Sequence, residues 1–77
     1  MNEDQLLATA DIESVDSALD GYEEGAAVHV HQEMLKRMME HFPDVFLKEG
    51  DLVLYREQYP IYTHDREDGD IDVKERL

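Results

Sequence analysis

Apolar residues recur at helical spacing in the first third of the chain. They fall three or four positions apart, at Ile12, Val15, Leu19 and Tyr22. This spacing places them on one face of an α-helix. Asp11 can accept hydrogen bonds from the free N–H groups of a first helical turn, and Gly21 or Gly25 can end the helix. The pattern predicts an amphipathic helix over residues 11–24, preceded by a short helix over residues 2–10.

A second and longer helix is predicted over residues 26–42. Its apolar residues fall on one broad face, at Val28, Leu35, Met38, Met39 and Phe42. Pro43 disfavours a helical conformation at the preceding residue, so the helix should end near His41. Residues 26–31 also carry a short alternating pattern and can be strand or helix. We expect the methionines to fill the core, because methionine at helical spacing usually does.

The C-terminal half predicts strands. Residues 52–62 are rich in β-forming side chains and predict a hairpin that turns at residues 56–59. Pro60 cannot donate a hydrogen bond to a neighbouring strand, so the second arm is predicted to be an edge strand. Residues 71–73 can add a third strand. The predicted fold class is α+β, with two or three short helices packed on a small antiparallel β-hairpin or three-stranded sheet.

Length and composition limit what this fold can contain. A chain of 77 residues forms one domain at most, and 42% hydrophobic residues are too many for a chain that is disordered throughout. We expect a single small acidic domain over residues 1–77, with frayed ends at about residues 1–4 and 74–77. The chain has no cysteine, which excludes disulfides and thiolate zinc sites.

The segments that direct proteins to membranes or out of the cell have no counterpart here. No apolar run approaches the roughly 20 residues of a membrane span. The N-terminal residues lack the cationic and apolar regions of a secretory signal. We therefore expect a cytoplasmic protein without a membrane partner.

The formal net charge of −13 is the feature that bears most on function. The first 35 residues contain nine carboxylates and no lysine or arginine. Three explanations of this net charge are possible: salt adaptation of the whole surface, a concentrated acidic binding surface, or an acidic tail. Acidic residues are spread through the chain, which favours salt adaptation. No lysine or arginine precedes Lys36, which favours a concentrated acidic binding surface. Direct nucleic-acid binding is disfavoured, because contact with phosphates requires clustered basic residues.

The histidines invite a metal-site interpretation. His29, His31 and Glu33 have the spacing of metal ligands, and His41 and His64 are available to complete a tetrahedral site. Short histidine spacing is common, however, and no cysteine supports a site here. We interpret these residues as surface or half-buried histidines and expect no metal and no other cofactor.

The remaining motifs point away from calcium binding and catalysis. The acidic turn over residues 64–75 places Gly69 and Glu75 as a calcium-binding EF-hand loop does, but His64 and Arg66 stand where that loop needs carboxylates. Catalytic acid–base chemistry needs a carboxyl group in a partly desolvated pocket. Neither a nucleophile motif nor a phosphate-binding glycine loop is present. We expect a protein that is not an enzyme and has no catalytic residues.

A row of carboxylates is the candidate binding site. On the predicted helix and at its end, five acidic residues lie beside the apolar face: Glu13, Asp16, Asp20, Glu23 and Glu24. Carboxylates three or four residues apart on a helix are separated by about 4.5–6 Å along the axis, which approaches the 3.4 Å phosphate spacing of a DNA strand. By size, acidity and lack of catalytic motifs the chain resembles the small DNA-mimic inhibitors of phages and mobile elements. This resemblance is one of class and implies a partner with a basic, nucleic-acid-binding surface.

A solvated acidic helix face is the simplest alternative, because charge runs usually mean only that. The functional alternative is an antitoxin or immunity-type protein. Such a protein would neutralise one basic partner through a methionine and aromatic surface, with the charge only steering the encounter.

Overall fold

The N-terminal helix is longer than its apolar stripe predicts. The computed structural model describes residues 3–75, and α1 runs without a break from Glu3 to Leu19. The predicted boundary at Asp11 is therefore wrong: this carboxylate does not cap a helix but lies within α1, buried against Arg37. Of the two predicted stops, Gly21 is the one that ends α1: it adopts a left-handed conformation (φ +88°), so the helix does not extend to residue 24.

Residues 26–42 divide into a strand and a helix. Strand β1 spans Ala27–His31, and α2 spans Gln32–His41. The alternating residues of β1 lie on opposite faces of the sheet, and Val28 and Val30 are both fully buried on the face that the helices cover. The imidazole of His31 caps α2 by accepting a hydrogen bond from the Glu33 N–H at 3.1 Å. The helix ends next to Phe42 and Pro43, as predicted.

The remaining strands complete a mixed sheet. After a short 3-10 turn at Pro43–Val45 come β2 (Phe46–Glu49), β3 (Leu52–Tyr55), β4 (Tyr59–His64) and β5 (Asp72–Lys74). The order across the sheet is β2-β3-β4-β1-β5, and β1 and β4 pair in parallel. The α+β class is confirmed, and the predicted hairpin is β3–β4. The sheet has five strands, because β2 and β1 also join it.

Pro60 is not on an edge strand. β4 lies between β3 and β1, so the edge prediction is wrong. Pro60 is the second residue of β4, and pairing with β1 begins one residue later, at Ile61 opposite Val28. A proline is tolerated near the beginning of a strand, where its missing N–H interrupts the ladder least.

Both helices pack on one face of the sheet. The buried cluster unites α1, α2 and three strands through Val15, Leu19, Val28, Val30, Met38, Tyr55 and Ile61. Met38 has no exposed surface and Met34 packs against the cluster, which confirms the core role of these two methionines. The opposite side, here called the open face, has no helix on it.

The predicted frayed ends are regular where the structure describes them. Glu3 and Asp4 begin α1, and Lys74 belongs to β5. Residues 1, 2, 76 and 77 lie outside the described residues. Within residues 3–75, no helix has the length and hydropathy needed to cross a membrane.

Candidate functional site

The five predicted partner-binding residues do not share one helix. Glu13 and Asp16 lie on α1, and Asp20 follows its last residue. Glu23 and Glu24 lie in the connection from α1 to β1. All five are exposed. The row of charge expected along a helix is therefore a cluster at the C-terminal end of α1 and in the loop beyond it.

The turn between β3 and β4 holds this loop in place. The Gly25 N–H donates to the Gln58 carbonyl at 3.0 Å, which fixes the loop against the turn. Exposed Glu57 precedes Gln58 and adds a further carboxylate. We call the resulting cluster the acidic end: Asp16, Asp20, Glu23, Glu24 and Glu57. The last turn of α1 holds no basic residue, so the negative pole of the helix dipole adds to this charge.

Within residues 3–75, Asp16 is the one member of the acidic end whose carboxylate has hydrogen-bond partners. Its carboxylate accepts hydrogen bonds from Nε and Nη2 of Arg56 at 3.1 and 2.9 Å and from the Tyr55 hydroxyl at 2.7 Å. Partial burial acts to raise the pKa of Asp16, but the hydrogen bonds from Arg56 and Tyr55 outweigh it and lower that pKa. The same bond raises the pKa of Arg56. Asp16 therefore serves the fold more directly than it serves a partner.

Arg56 is held in an unusual backbone conformation. Arg56 and Glu57 have φ values of +53° and +62°, which non-glycine residues rarely adopt. The Arg56 N–H donates to the Val45 carbonyl at 2.8 Å, and its guanidinium lies 5.2 Å from the centre of the Tyr55 ring. These contacts stabilise the turn. The sequence does not single out Arg56 or Glu57, because this turn lacks the asparagine and glycine typical of positive φ.

A shallow cleft of about 350 Å³ opens at the acidic end. Its walls come from α1, the following loop and the β3–β4 turn: Asp16, Leu19, Asp20, Gly21, Tyr22, Arg56, Gln58 and Tyr59. Tyr22 belongs to the predicted apolar stripe, but it lies beyond α1 and lines this cleft instead of continuing the helix. Tyrosine rings beside an unpaired carboxylate such as Asp20 suit a cationic side chain.

Three of the four histidines lie on the open face and are engaged locally, whereas His41 is the last residue of α2. His31 and His64 are cross-strand neighbours with ring centres 5.9 Å apart. The His31 Nδ1 caps α2, and the His64 Nδ1 accepts from the Arg66 N–H at 3.2 Å. His29 stacks on Tyr62, and its Nδ1 is buried without a hydrogen-bond partner among the described residues. Across residues 3–75 no three His, Asp or Glu side chains gather closely enough to hold a metal ion.

The acidic turn before β5 has an arginine among its carboxylates. Arg66 lies 2.7 Å from Asp72 and 3.6 Å from Asp68, measured between its nitrogens and their carboxylate oxygens. The Asp68 carboxylate also accepts from the Asp70 N–H at 2.9 Å. One arginine is thus shared by two carboxylates and compensates one of their two negative charges.

The basic residues of the fold leave most carboxylates unpaired. Arg37, Arg56 and Arg66 form all the ion pairs found within residues 3–75, and their acidic partners are Asp11, Asp16, Asp68 and Asp72. Glu13, Asp20, Glu23 and Glu24 have no such partner in this part of the chain. In comparisons with known proteins, no family model, curated protein or solved structure matches this chain.

Proposed function

We propose that this protein is a small, non-catalytic DNA-mimic inhibitor. It acts in the cytoplasm by occupying the basic, nucleic-acid-binding surface of a partner protein, in the manner of phage or mobile-element proteins directed against host enzymes or defences. The observation that supports this proposal most strongly is a set of exposed carboxylates that have no ion-pair partner within residues 3–75: Glu13, Asp20, Glu23 and Glu24. Folding does not account for them.

The energetics of the acidic end support the same conclusion. Like charges at the negative pole of a helix destabilise it by about 0.3–1 kcal/mol each. Three such residues, Asp20, Glu23 and Glu24, follow the last turn of α1, where no basic residue compensates them. A cationic partner surface would offset this repulsion on binding, and the cleft beside Asp20 would receive one of its lysine or arginine side chains.

The structure shifts the centre of the proposed site away from Asp16. Because Arg56 and Tyr55 bind its carboxylate, replacement of Asp16 would disturb the fold as well as the charge. The residues that test the proposal are therefore Asp20, Glu23 and Glu24. The antitoxin alternative depends on a methionine and aromatic surface, and α2 gives it little support, since Met38 has no exposed surface, Met34 packs on the core and Met39 is half-buried.

A capture experiment tests the proposal. The immobilised protein is incubated with bacterial lysate at low salt, and bound proteins are eluted with duplex DNA or with rising sodium chloride. We expect nucleic-acid-binding proteins that duplex DNA displaces, with affinity that falls steeply as salt increases. A tightly captured protein that neither salt nor DNA displaces would contradict mimicry.

Matched charge reversals separate the acidic end from the overall charge. Asp20→Lys/Glu23→Lys/Glu24→Lys should weaken capture by more than about tenfold. The control is Glu40→Lys/Asp51→Lys/Glu67→Lys, which makes the same change in net charge at exposed, unpaired residues elsewhere. The control should retain most of the affinity. Equal losses in both variants would show that net charge, and not the acidic end, determines binding.

A further inference from the structure

We propose that the open face of the sheet is the interface of a homodimer. An apolar patch covers its centre: Leu47, Leu52, Leu54, Pro60 and Tyr62. The strand registers place Leu47 opposite Leu54 and Leu54 opposite Pro60. None of these residues belongs to the core cluster or packs against it. Leu47 and Tyr62 are 36% and 45% exposed. A contiguous exposed apolar patch of this kind often marks an interaction surface.

The charge distribution favours a second copy of the chain as the partner that binds the open face. The five strands contain two carboxylates, Glu49 and Asp72, and the alternation of side chains places both on the open face. Asp72 is paired with Arg66, and Lys74 lies on the same face. This face is thus nearly neutral, whereas the rest of the surface carries almost all of the net charge of −13. A cationic partner is attracted to the acidic surface, and another copy is repelled from everything except this face.

The arrangement of residues on this face is also self-complementary. Successive rows across the sheet contain Leu54, Pro60 and Lys74 in one row and Leu52, Tyr62 and Asp72 in the next. Two copies can face each other about a two-fold axis that lies between the sheets, runs perpendicular to the strands and passes between these rows. Each row of one copy then lies opposite the other row of the second copy. Leu54 then meets Leu52, Pro60 meets Tyr62, and Lys74 meets Asp72. At the β2 edge Leu47 meets Glu49, where the leucine packs on the aliphatic stem of the glutamate. Each contact occurs twice, and the apolar pairs lie at the centre.

The size of the face predicts a weak dimer. Five strands about 4.8 Å apart, with about four residues at 3.3 Å each, give a face of roughly 24 by 13 Å. Two such faces together cover roughly 620 Å², about half of the 1,200 Å² at the low end of stable interfaces. Dimerisation should therefore depend on concentration. It should also strengthen as salt screens the repulsion between two chains of net charge −13, which is opposite to the salt dependence of the proposed partner binding.

Sedimentation equilibrium tests the dimer, with sodium chloride raised from about 50 to about 500 mM. We expect reversible dimerisation that salt strengthens. The variant L47Q/L54Q should weaken it by more than about tenfold. The control L6Q/L7Q makes the same chemical change at two exposed leucines of α1, which are 55% and 47% exposed, and should leave the dimer intact.

A second measurement keeps the test decisive if L47Q/L54Q does not fold. On dilution of the wild-type protein, the amide NMR signals of β2, β3 and β4 should shift while those of α1 stay constant. A monomer at all concentrations up to about 0.5 mM and at both salt levels would overturn the proposal. So would dilution shifts confined to α1. If the chain alone is monomeric and a captured protein slows hydrogen exchange at the Leu54 amide, the open face binds that protein and the homodimer proposal is overturned. Any of these results leaves the capture experiment on the acidic end to be judged separately.

Discussion

Two carboxylates on α1 have roles in the fold that composition does not reveal. Asp11 is 6% exposed and binds Arg37 through two hydrogen bonds of 2.7 and 3.1 Å, which tie α1 to α2. Asp16 binds Tyr55 and Arg56 and so ties α1 to the β3–β4 hairpin. In a chain with twenty acids, burial and geometry distinguish these two from residues that are simply solvated.

Removing the buried carboxylate should destabilise the protein. Asp11→Ala leaves the Arg37 guanidinium, which is 30% exposed, without its acceptor. We expect the free energy of unfolding to fall by about 1–3 kcal/mol in urea denaturation followed by circular dichroism. Glu13→Ala removes a carboxylate from an exposed position of the same helix and should change the free energy by less than about 0.5 kcal/mol. Equal effects in the two variants would contradict a structural role for the Asp11–Arg37 pair.

Tyr55 should titrate at unusually high pH. Its burial, followed by its hydrogen bond to Asp16, raises the pKa of the phenol from 10.0 to about 12. Because the folded state holds this proton more tightly than the unfolded state, the associated stability is complete below pH 10 and is lost between pH 10 and about 12. The ultraviolet difference titration between the wild type and Tyr55→Phe isolates this transition. Asp16→Asn should lower the Tyr55 pKa, and an unchanged titration would contradict the bond between them.

At the scale of elements, the sequence predicts the fold class and the end of α2, but not the start of α1 or the division of residues 26–42. Residues 11–24 show helical spacing throughout, yet α1 ends at Leu19 because Gly21 turns the chain. The alternating pattern of residues 26–31 allows either a strand or a helix. The strand β1 forms because Val28 and Val30 are buried together against β4, and that partner lies about thirty residues away. Local patterns hold no information on such pairings, which is also why the position of Pro60 inside the sheet was missed.

The candidate site was predictable only in part. The acidic residues of the segment 13–24 can be identified from the sequence, and the five predicted partner-binding residues are all exposed. The contribution of the β3–β4 turn was not predictable, because Arg56 and Gln58 reach the acidic end through long-range contacts to Asp16 and Gly25. The apolar patch of the open face was hidden for the same reason, since its residues come from β2, β3 and β4.

The strained turn offers a prediction at the scale of one element. Glu57 has a φ of +62°, a conformation that costs a non-glycine residue about 1–2 kcal/mol. Glu57→Gly should therefore stabilise the protein, by about 0.5–1 kcal/mol after the added chain entropy of glycine in the unfolded state is subtracted. Thermal and urea unfolding measure the change. Glu57→Gln removes the same charge but keeps the strain, and a matching gain there would attribute the effect to charge.

Gly50 provides the reverse test of backbone strain. It lies between β2 and β3 with a φ of +60°, and no atom lies within 4 Å of where a Cβ would be. Gly50→Ala should destabilise the protein by about 1 kcal/mol, because only the backbone conformation opposes the new methyl group. Urea unfolding provides the measurement. An unchanged free energy would show that this turn relaxes to a negative φ at little cost.

The whole molecule combines a small core with a surface of one dominant sign. Four of the twenty carboxylates pair with arginines within residues 3–75, and the others face solvent or one another. This imbalance favours association with cationic surfaces, but it also opposes the compact state. Salt should therefore act in opposite directions on the two proposed properties of the protein: it weakens partner binding and strengthens both folding and self-association.

The salt dependence of stability is the prediction that belongs to the whole molecule. Raising sodium chloride from about 20 to about 500 mM shortens the Debye length from about 20 to about 4 Å and screens the repulsion that a net charge of −13 creates. We expect the melting temperature to rise over this range and then to level off. The control variant Glu40→Lys/Asp51→Lys/Glu67→Lys carries a net charge of −7, since each reversal adds two units, and its melting temperature should rise less. Measurements at a fixed, low protein concentration exclude a contribution from dimerisation. A melting temperature that keeps rising to molar salt in both proteins would instead indicate general salt adaptation of the surface.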